Sequence, residues 1–450
     1  MTEKVNAELQ IYYIGWTDYL SNYNLTLARM DGSVDLVGTG TDWLDAWPNA
    51  KNGAFLELDE EMLAKYAPVT YETVPQEDWD LCKYNDNIYL MPEDNYAQWT
   101  NHGFAYRLDW AKEAGLEDGV HSWEDMTTYF KYVCDNKDEL GVVTPWDSDG
   151  TQFSQMAGGW ISSHSDFVSI DGLAAAAYWG GTKDDLYTIV SPLYTDTDSL
   201  VEFAKMMKEW DEMGVWKTDV LNNTSSDNRE DFKLGKTAAE QHHTETWTDL
   251  VSKTPENVPG AEVGFFWFGE EEKNVTALNI THGAMAVSYG SENPERALMV
   301  YDLLRNDAEC YDLINYGQKG VQWDVNDEGL RITPESYNSD TDGITTNFWW
   351  GRNDLLEIRD ATKDWDKIDV MYKELEDAAI DYPYGKFVAN VDDIQSYINN
   401  INEVNTNYMK QIAYGKYTGT AEEIVAEYQQ ALKDAGMDIV CLLYTSPSPR

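Results

Sequence analysis

Six short stretches set a tryptophan among glycines, carboxylates, amides, histidine or arginine. They are Ile14-Gly15-Trp16-Thr17-Asp18, Gly38-Thr39-Gly40-Thr41-Asp42-Trp43, Glu93-Asp94-Asn95-Tyr96-Ala97-Gln98-Trp99, Gly158-Gly159-Trp160, His243-Thr244-Glu245-Thr246-Trp247 and Asn347-Phe348-Trp349-Trp350-Gly351-Arg352. A flat indole covers the apolar C–H face of a pyranose while neighbouring polar groups take its hydroxyls, so this pairing suits sugar recognition. Trp16, Trp43, Trp99, Trp160, Trp247, Trp349 and Trp350 are the stacking candidates. Asp42, Glu93, His243, Glu245 and Arg352 are the hydroxyl-binding candidates. Trp110, Trp123, Trp179, Trp210 and Trp216 lie in helical patterns or beside their ends and read as core.

Other motifs fail on their own chemistry. Gly235-Lys236-Thr237 matches the end of a phosphate loop, but Glu230 stands where the earlier glycine is required, so the backbone cannot wrap a phosphate. Asp324, Asn326, Glu328 and Glu335 approximate a calcium loop. Yet alternating Val321–Val325 and Leu330–Thr333 flank Asn-Asp-Glu-Gly, which is a hairpin signature. His242-His243 with Glu245 lacks a third ligand at metal spacing, and adjacent strand residues point to opposite faces. There is no G-x-S-x-G elbow, and carboxylates are too abundant for any pair to stand out as an acid/base couple. No catalytic residue, metal site or cofactor is expected.

The chain has 450 residues, with 32 Lys plus Arg against 81 Asp plus Glu, a formal charge of −49. That balance argues against nucleic-acid binding, which needs clustered cations to displace counterions, and against docking on anionic lipid. It also disfavours phosphate or sulfate cargo unless a local basic pocket reverses the field. Apolar residues at 42 % supply a sizeable core, and no run approaches the roughly 18 apolar residues of a membrane span. Setting aside Cys441, the cysteines Cys82, Cys134 and Cys310 are odd in number and far apart, so they read as buried thiols rather than a disulfide framework.

These residues must be positioned by alternating strands and helices. Strand-like runs occur at Leu9–Ile14, Val34–Gly38, Ile88–Met91, Val263–Phe268 and Ala284–Ser288. Helix starts are legible at Ser122 with Asp125, at Ser199 with Glu202, and at Asn293-Pro294; Glu376 to Ala435 reads mostly helical. The alternation predicts α/β layering around mainly parallel sheets, with several tryptophan clusters just past strand ends, where open α/β sheets bind ligands. Cys441–Arg450 breaks the pattern and resembles a translated sequencing adapter, so it is expected to be a non-native tail. No signal peptide stands at the start, which taken alone reads as cytoplasmic.

The order of motifs carries a resemblance. Val34–Trp43, Gly53–Leu58, Tyr66-Ala-Pro68, Ile88–Asp94 and Gly103–Arg107 resemble the first lobe, and the crossing to the second, of family-1 extracellular solute-binding proteins of ABC importers, relatives of the maltose-binding protein. Ser122-Trp-Glu-Asp125, Phe232–Ala239, Asn279–Ser288 with Asn293–Ala297, Asn315-Tyr-Gly317 and Phe348–Asp354 continue it, the last two resembling a Gram-positive lipoprotein subgroup. The likeness covers nearly all of residues 1–440.

The resemblance implies a two-lobed periplasmic-binding-protein-like fold of type II, with a ligand cleft between lobes and hinge closure on the ligand. It divides the chain into lobe 1 at 1–100 plus 283–335 and lobe 2 at 101–282 plus 336–440. It implies a monomeric, non-enzymatic, extracellular lipoprotein that hands a sugar, in particular an oligosaccharide, to ABC permease subunits. The family's first strand and lipidated cysteine have no counterpart before Met1, so lobe 1 is expected to expose backbone groups that the full-length parent pairs. Two other readings stay open: the same fold binding a peptide or other small solute, and a secreted glycoside hydrolase, which needs two carboxylates at cleavage geometry.

Overall fold

The apolar runs fold into short strands that pair across long stretches of chain. The computed structural model describes residues 2–29, 31–94, 102–170, 177–345, 348–385 and 391–445, without the side chains at positions 2, 16, 17 and 442–445. Six strands organise it: β1 (Leu36–Thr39), β2 (Met91–Pro92), β3 (Gly103–Arg107), β4 (Ala239–His242), β5 (Val263–Trp267) and β6 (Ala284–Val287). The chain divides into unit 1 (Met1–Tyr96, Leu278–Thr362, Tyr384–Val388) and unit 2 (Ala97–Ala277, Lys363–Pro383, Ala389–Arg450).

In unit 1, β6 lies between β1 and β2 and pairs antiparallel with both, Leu36 facing Val287 and Thr39 facing Ala284. Its Ala-Met-Ala-Val sequence carries no polar residue because all four positions are buried. Leu63, Trp79, Leu298 and Tyr301 pack in the same core. In unit 2, β3 lies between β4 and β5, again antiparallel, with Phe104 opposite both Gln241 and Phe266. Phe104 meets Trp123, Phe130, Trp146, Trp210 and Phe268 at ring-centroid distances of 5.1 to 6.3 Å. Rings of this size bury roughly 150–250 Å² each and dominate core energetics. The five tryptophans assigned to the core, Trp110, Trp123, Trp179, Trp210 and Trp216, are all buried.

Several expectations are corrected. The sheets are antiparallel rather than mainly parallel, because sheet neighbours come from remote parts of the chain instead of from consecutive strand–helix–strand crossovers. Among the described residues, the one parallel strand pair joins Val275–Thr276 to Ala379–Ile380. Leu9–Ile14 forms no strand: no described strand pairs with it, and Tyr12 is 63 % exposed. The helix expected to start at Ser199 starts at Thr197, because Asp196 is the better-placed cap and accepts from Ser199 N at 3.1 Å. Residues 336–362, expected in lobe 2, belong to unit 1: Asp94 N donates to Arg352 O, and Arg331 pairs with Asp360 at 2.7 Å. The helix Met437–Thr445 runs on into the segment expected to be a tail.

Other readings hold as made. Ser122 Oγ accepts from Asp125 N at 3.0 Å and caps the helix Trp123–Leu140, whose Met126, Phe130 and Val133 are buried. Pro294 opens the helix Pro294–Asn306, and the hairpin forms with Asp324–Val325 against Arg331–Ile332.

Just before the Ser122 cap, both nitrogens of His121 face acceptors: Nδ1 lies 2.5 Å from Glu270 Oε1 and Nε2 3.0 Å from the Asp118 carbonyl. An imidazole satisfies both only when doubly protonated, and the Glu270 carboxylate raises its pKa to about 9. A histidine pKa raised on folding stabilises fully below its unfolded value of about 6.5, and that contribution disappears as pH rises through about 9. Thermal melts of wild type and His121→Gln between pH 6 and 10 are expected to differ most at the acid end and to converge at the alkaline end. Parallel curves would refute the pairing.

Candidate functional site

Six of the predicted site residues, Asp42, Trp43, Glu93, Trp349, Trp350 and Arg352, come together in unit 1, where β1 and β2 run out beside the segment that leads into β6. The three indoles lie nearly parallel. Trp43 stacks on Trp349 at 5.7 Å and 14° and on Trp350 at 5.6 Å and 19°, and Trp349 meets Trp350 at 4.1 Å and 26°. Two glycines make room for them. A Cβ on Gly38 would land in the Trp350 ring, and one on Gly40 would strike Trp43 Nε1 and the His282 carbonyl. Trp350 is the foundation of the group, packing against the unit 1 core with Tyr19 6.1 Å away. All three indoles keep part of their surface exposed.

A polar floor fixes this cluster. Thr41 N donates to Thr281 O at 3.1 Å, the two threonine hydroxyls are 2.8 Å apart, and Trp43 Nε1 donates to His282 O at 2.7 Å. His282 Nδ1 meets Asp42 Oδ2 at 2.6 Å, with both side chains 9 % exposed. Asp42 Oδ1 is buried and finds no donor among the described residues. Glu93, 1 % exposed, lays its carboxylate where a Cβ of residue 283 would be, so only glycine fits at Gly283. Glu93 N donates to Gly283 O at 3.2 Å.

Beyond Glu93 the floor becomes an ionic network. Arg305 donates to Pro92 O at 2.6 Å and to Asp94 Oδ1 at 3.1 Å, and Asp94 Oδ2 accepts from Asp354 N at 3.0 Å. Arg352 Nε donates to Asp354 Oδ1 at 3.1 Å, and Glu357 accepts from the hydroxyls of Tyr311 and Tyr316. Burial, reinforced by Asp94 and Glu357 against the pull of Arg352, pushes the Asp354 pKa up to about 7. Arg352 therefore serves first as a brace for the loop carrying Trp349 and Trp350.

The remaining candidates lie elsewhere. Trp160 and Trp247 do not offer the free faces expected of them, since both are core residues of unit 2. Trp160 is 4 % exposed, stacks on His164 at 3.7 Å and donates from Nε1 to Ser199 Oγ at 2.9 Å. Gly158 and Gly159 beside it admit the rings of Tyr178 and Phe268. Trp247 is 3 % exposed and packs on Phe265. His243 caps the helix Thr244–Asn257, its Nδ1 accepting from Thr246 N at 3.2 Å, and Glu245 is exposed in the first turn. Trp16 opens the helix Trp16–Arg29, but its side chain, like all of Trp99, lies outside the described residues.

Sequence reasoning passed over His282, Asp94 and Asp354, although all three sit inside motifs it used. It also missed a second polar group in unit 2, where Gln241 Nε2 donates to His102 Nδ1 at 2.6 Å and the His242 and His243 rings are 4.1 Å apart. Burial, with His243 next to it, holds His242 neutral. Ala239, Glu240 and Gln241 are all buried along β4, so no alternation marked Gln241 in the sequence.

Two outcomes test this geometry. Gly38→Val is expected to displace Trp350 and to destabilise unit 1 by about 1–3 kcal/mol, read as a lower denaturation midpoint with altered near-UV circular dichroism. An unchanged aromatic spectrum would refute the contact. For Asp354, a carboxyl whose pKa is raised on folding favours the native state below about 4 and loses that advantage as pH rises through about 7. Melting curves of Asp354→Asn and wild type are therefore expected to converge near pH 4, with the variant relatively more stable above pH 7.

Comparison with known proteins extends over both units. Residues 383–441 match a family model described as "Domain of unknown function (DUF3502)". A carbohydrate ABC transporter substrate-binding protein of Streptococcus pneumoniae is 24 % identical over 444 residues, covering 96 % of this chain and 82 % of that protein. The N-glycan transport solute binding protein NgtS of the same species, solved with Man1GlcNAc, aligns with a TM-score of 0.72 at 20 % identity, covering 99 % of this chain and 92 % of that one. The alginate-binding protein AlgQ2, solved without calcium ion, aligns with a TM-score of 0.62 at 17 % identity, covering 94 % and 88 %. This chain thus carries the two-lobed fold of the family-1 extracellular solute-binding proteins, the family that its ordered motifs resemble.

Proposed function

We propose that this protein is the extracellular substrate-binding component of an ABC importer, capturing a carbohydrate, specifically an oligosaccharide, and delivering it unaltered to membrane permease subunits. The observation that carries the reading is the group of three near-parallel indoles over a buried polar floor in unit 1. Indole faces match the C–H faces of pyranoses, and a group of them suits more than one sugar residue. Asp42 Oδ1, an acceptor without a donor among the described residues, adds a place for a hydroxyl. The 24 %-identical relative is a carbohydrate ABC transporter substrate-binding protein, and NgtS was solved with a glycan. We read the protein as a monomer, anchored in its full-length parent by a lipid at the cell surface, that binds rather than cleaves.

Titration with a panel of oligosaccharides, followed by tryptophan fluorescence, is expected to give saturable shifts and to return each glycan uncleaved. Trp43→Ala and Trp349→Ala are expected to weaken binding about tenfold each, equivalent to about 1.4 kcal/mol. Silence across the glycans combined with a peptide-induced shift would refute the sugar assignment, and released product would refute the non-enzymatic role.

A further inference from the structure

The indole cluster of unit 1 is bordered by five carboxylates: Asp42, Glu93, Asp94, Asp354 and Glu357. The cations in the same network each hold a carboxylate or a carbonyl, although Arg305 Nε is buried without an acceptor among the described residues. Arg305 holds Pro92 O and Asp94, Arg352 reaches Asp354 at 3.1 Å and Glu357 at 3.9 Å, and His282 Nδ1 faces Asp42. Arg331, over the Tyr316 ring at 4.7 Å, is paired with Asp360 at 2.7 Å. One acceptor oxygen, Asp42 Oδ1, is buried with no donor among the described residues, and Asp354 Oδ2 joins it where Asp354 is ionised. This environment welcomes donors and offers an incoming carboxylate no guanidinium fork of the kind that recognises acids.

We infer that this site selects glycans by charge: it accepts uncharged or amine-bearing pyranoses and excludes uronic-acid and other anionic sugars. The inference rests on the sugar-binding reading above and adds the chemical class of the cargo. The fold does not dictate it, because an alginate-binding protein, whose ligand is a polyuronate, has the same architecture. The formal charge of −49 adds a long-range barrier of the same sign.

The test is calorimetric titration of the full chain with size-matched trisaccharides in neutral, amino and uronate forms, each in the manno, gluco and galacto configurations. At about 0.15 M salt, the uronate of any configuration that binds is expected to be at least about tenfold weaker than its neutral partner, with the amino form no weaker than neutral. Lowering the salt is expected to widen the gap, because screening of like charges falls. Glu93→Gln is expected to narrow it, and a melting curve checks that the variant folds; if it does not, the wild-type panel decides alone. A uronate binding as tightly as its neutral partner, or a gap indifferent to salt, overturns the inference and leaves sugar binding intact. Absence of binding by every glycan overturns the sugar-binding reading itself.

Discussion

The site in unit 1 depends on one constraint: two loops 240 positions apart in the sequence must lie backbone to backbone with indoles flat against them. Thr41 and Thr281 join them through main-chain and hydroxyl contacts, and the Asp42–His282 pair closes the polar side. The groups concerned are buried, so each hydrogen bond left unmade would cost about 1–3 kcal/mol. That cost makes the arrangement all-or-none. Gly38, Gly40 and Gly283 are what the constraint looks like in sequence, because each stands where a neighbouring ring or carboxylate fills the space a Cβ would need.

The two units use tryptophan in opposite ways. In unit 2, Phe104, Trp123, Trp146 and Trp210 form one continuous aromatic interior around β3. Trp160 and Trp247 join interiors of the same unit instead of lining a surface. In unit 1, Trp350 alone of the three indoles is counted with the core, leaving Trp43 and Trp349 supported from behind by a ring rather than enclosed. Composition cannot separate these roles, because the apolar area gained is similar whether a ring meets protein or a sugar.

Much of the fold was legible. Capped helices at Ser122 and Pro294, the 321–333 hairpin and the core tryptophans follow from local chemistry, which short-range hydrogen bonds and periodicity dictate. Sheet direction was not legible, because whether Leu36–Thr39 meets Ala284–Val287 head-on or in parallel depends on the path of the chain between them. In the site, the Asp42-Trp43 and Trp349-Trp350-Gly351-Arg352 clusters were found because a polar residue adjoins an indole. His282 escaped because its role is set by a partner 240 positions away. Trp160 misled because glycines that admit packed rings look, in sequence, like glycines that open a binding surface.

The bond from Trp43 Nε1 to the His282 carbonyl has a stereochemical consequence. With its sole donor committed, that indole has only its π face left for a guest, and it is fixed in azimuth by the same bond. On the sugar-binding reading proposed above, such an indole would read epimers solely through which side of a pyranose gathers its axial hydrogens. It would tolerate varied equatorial substituents and reject an axial group turned towards the ring.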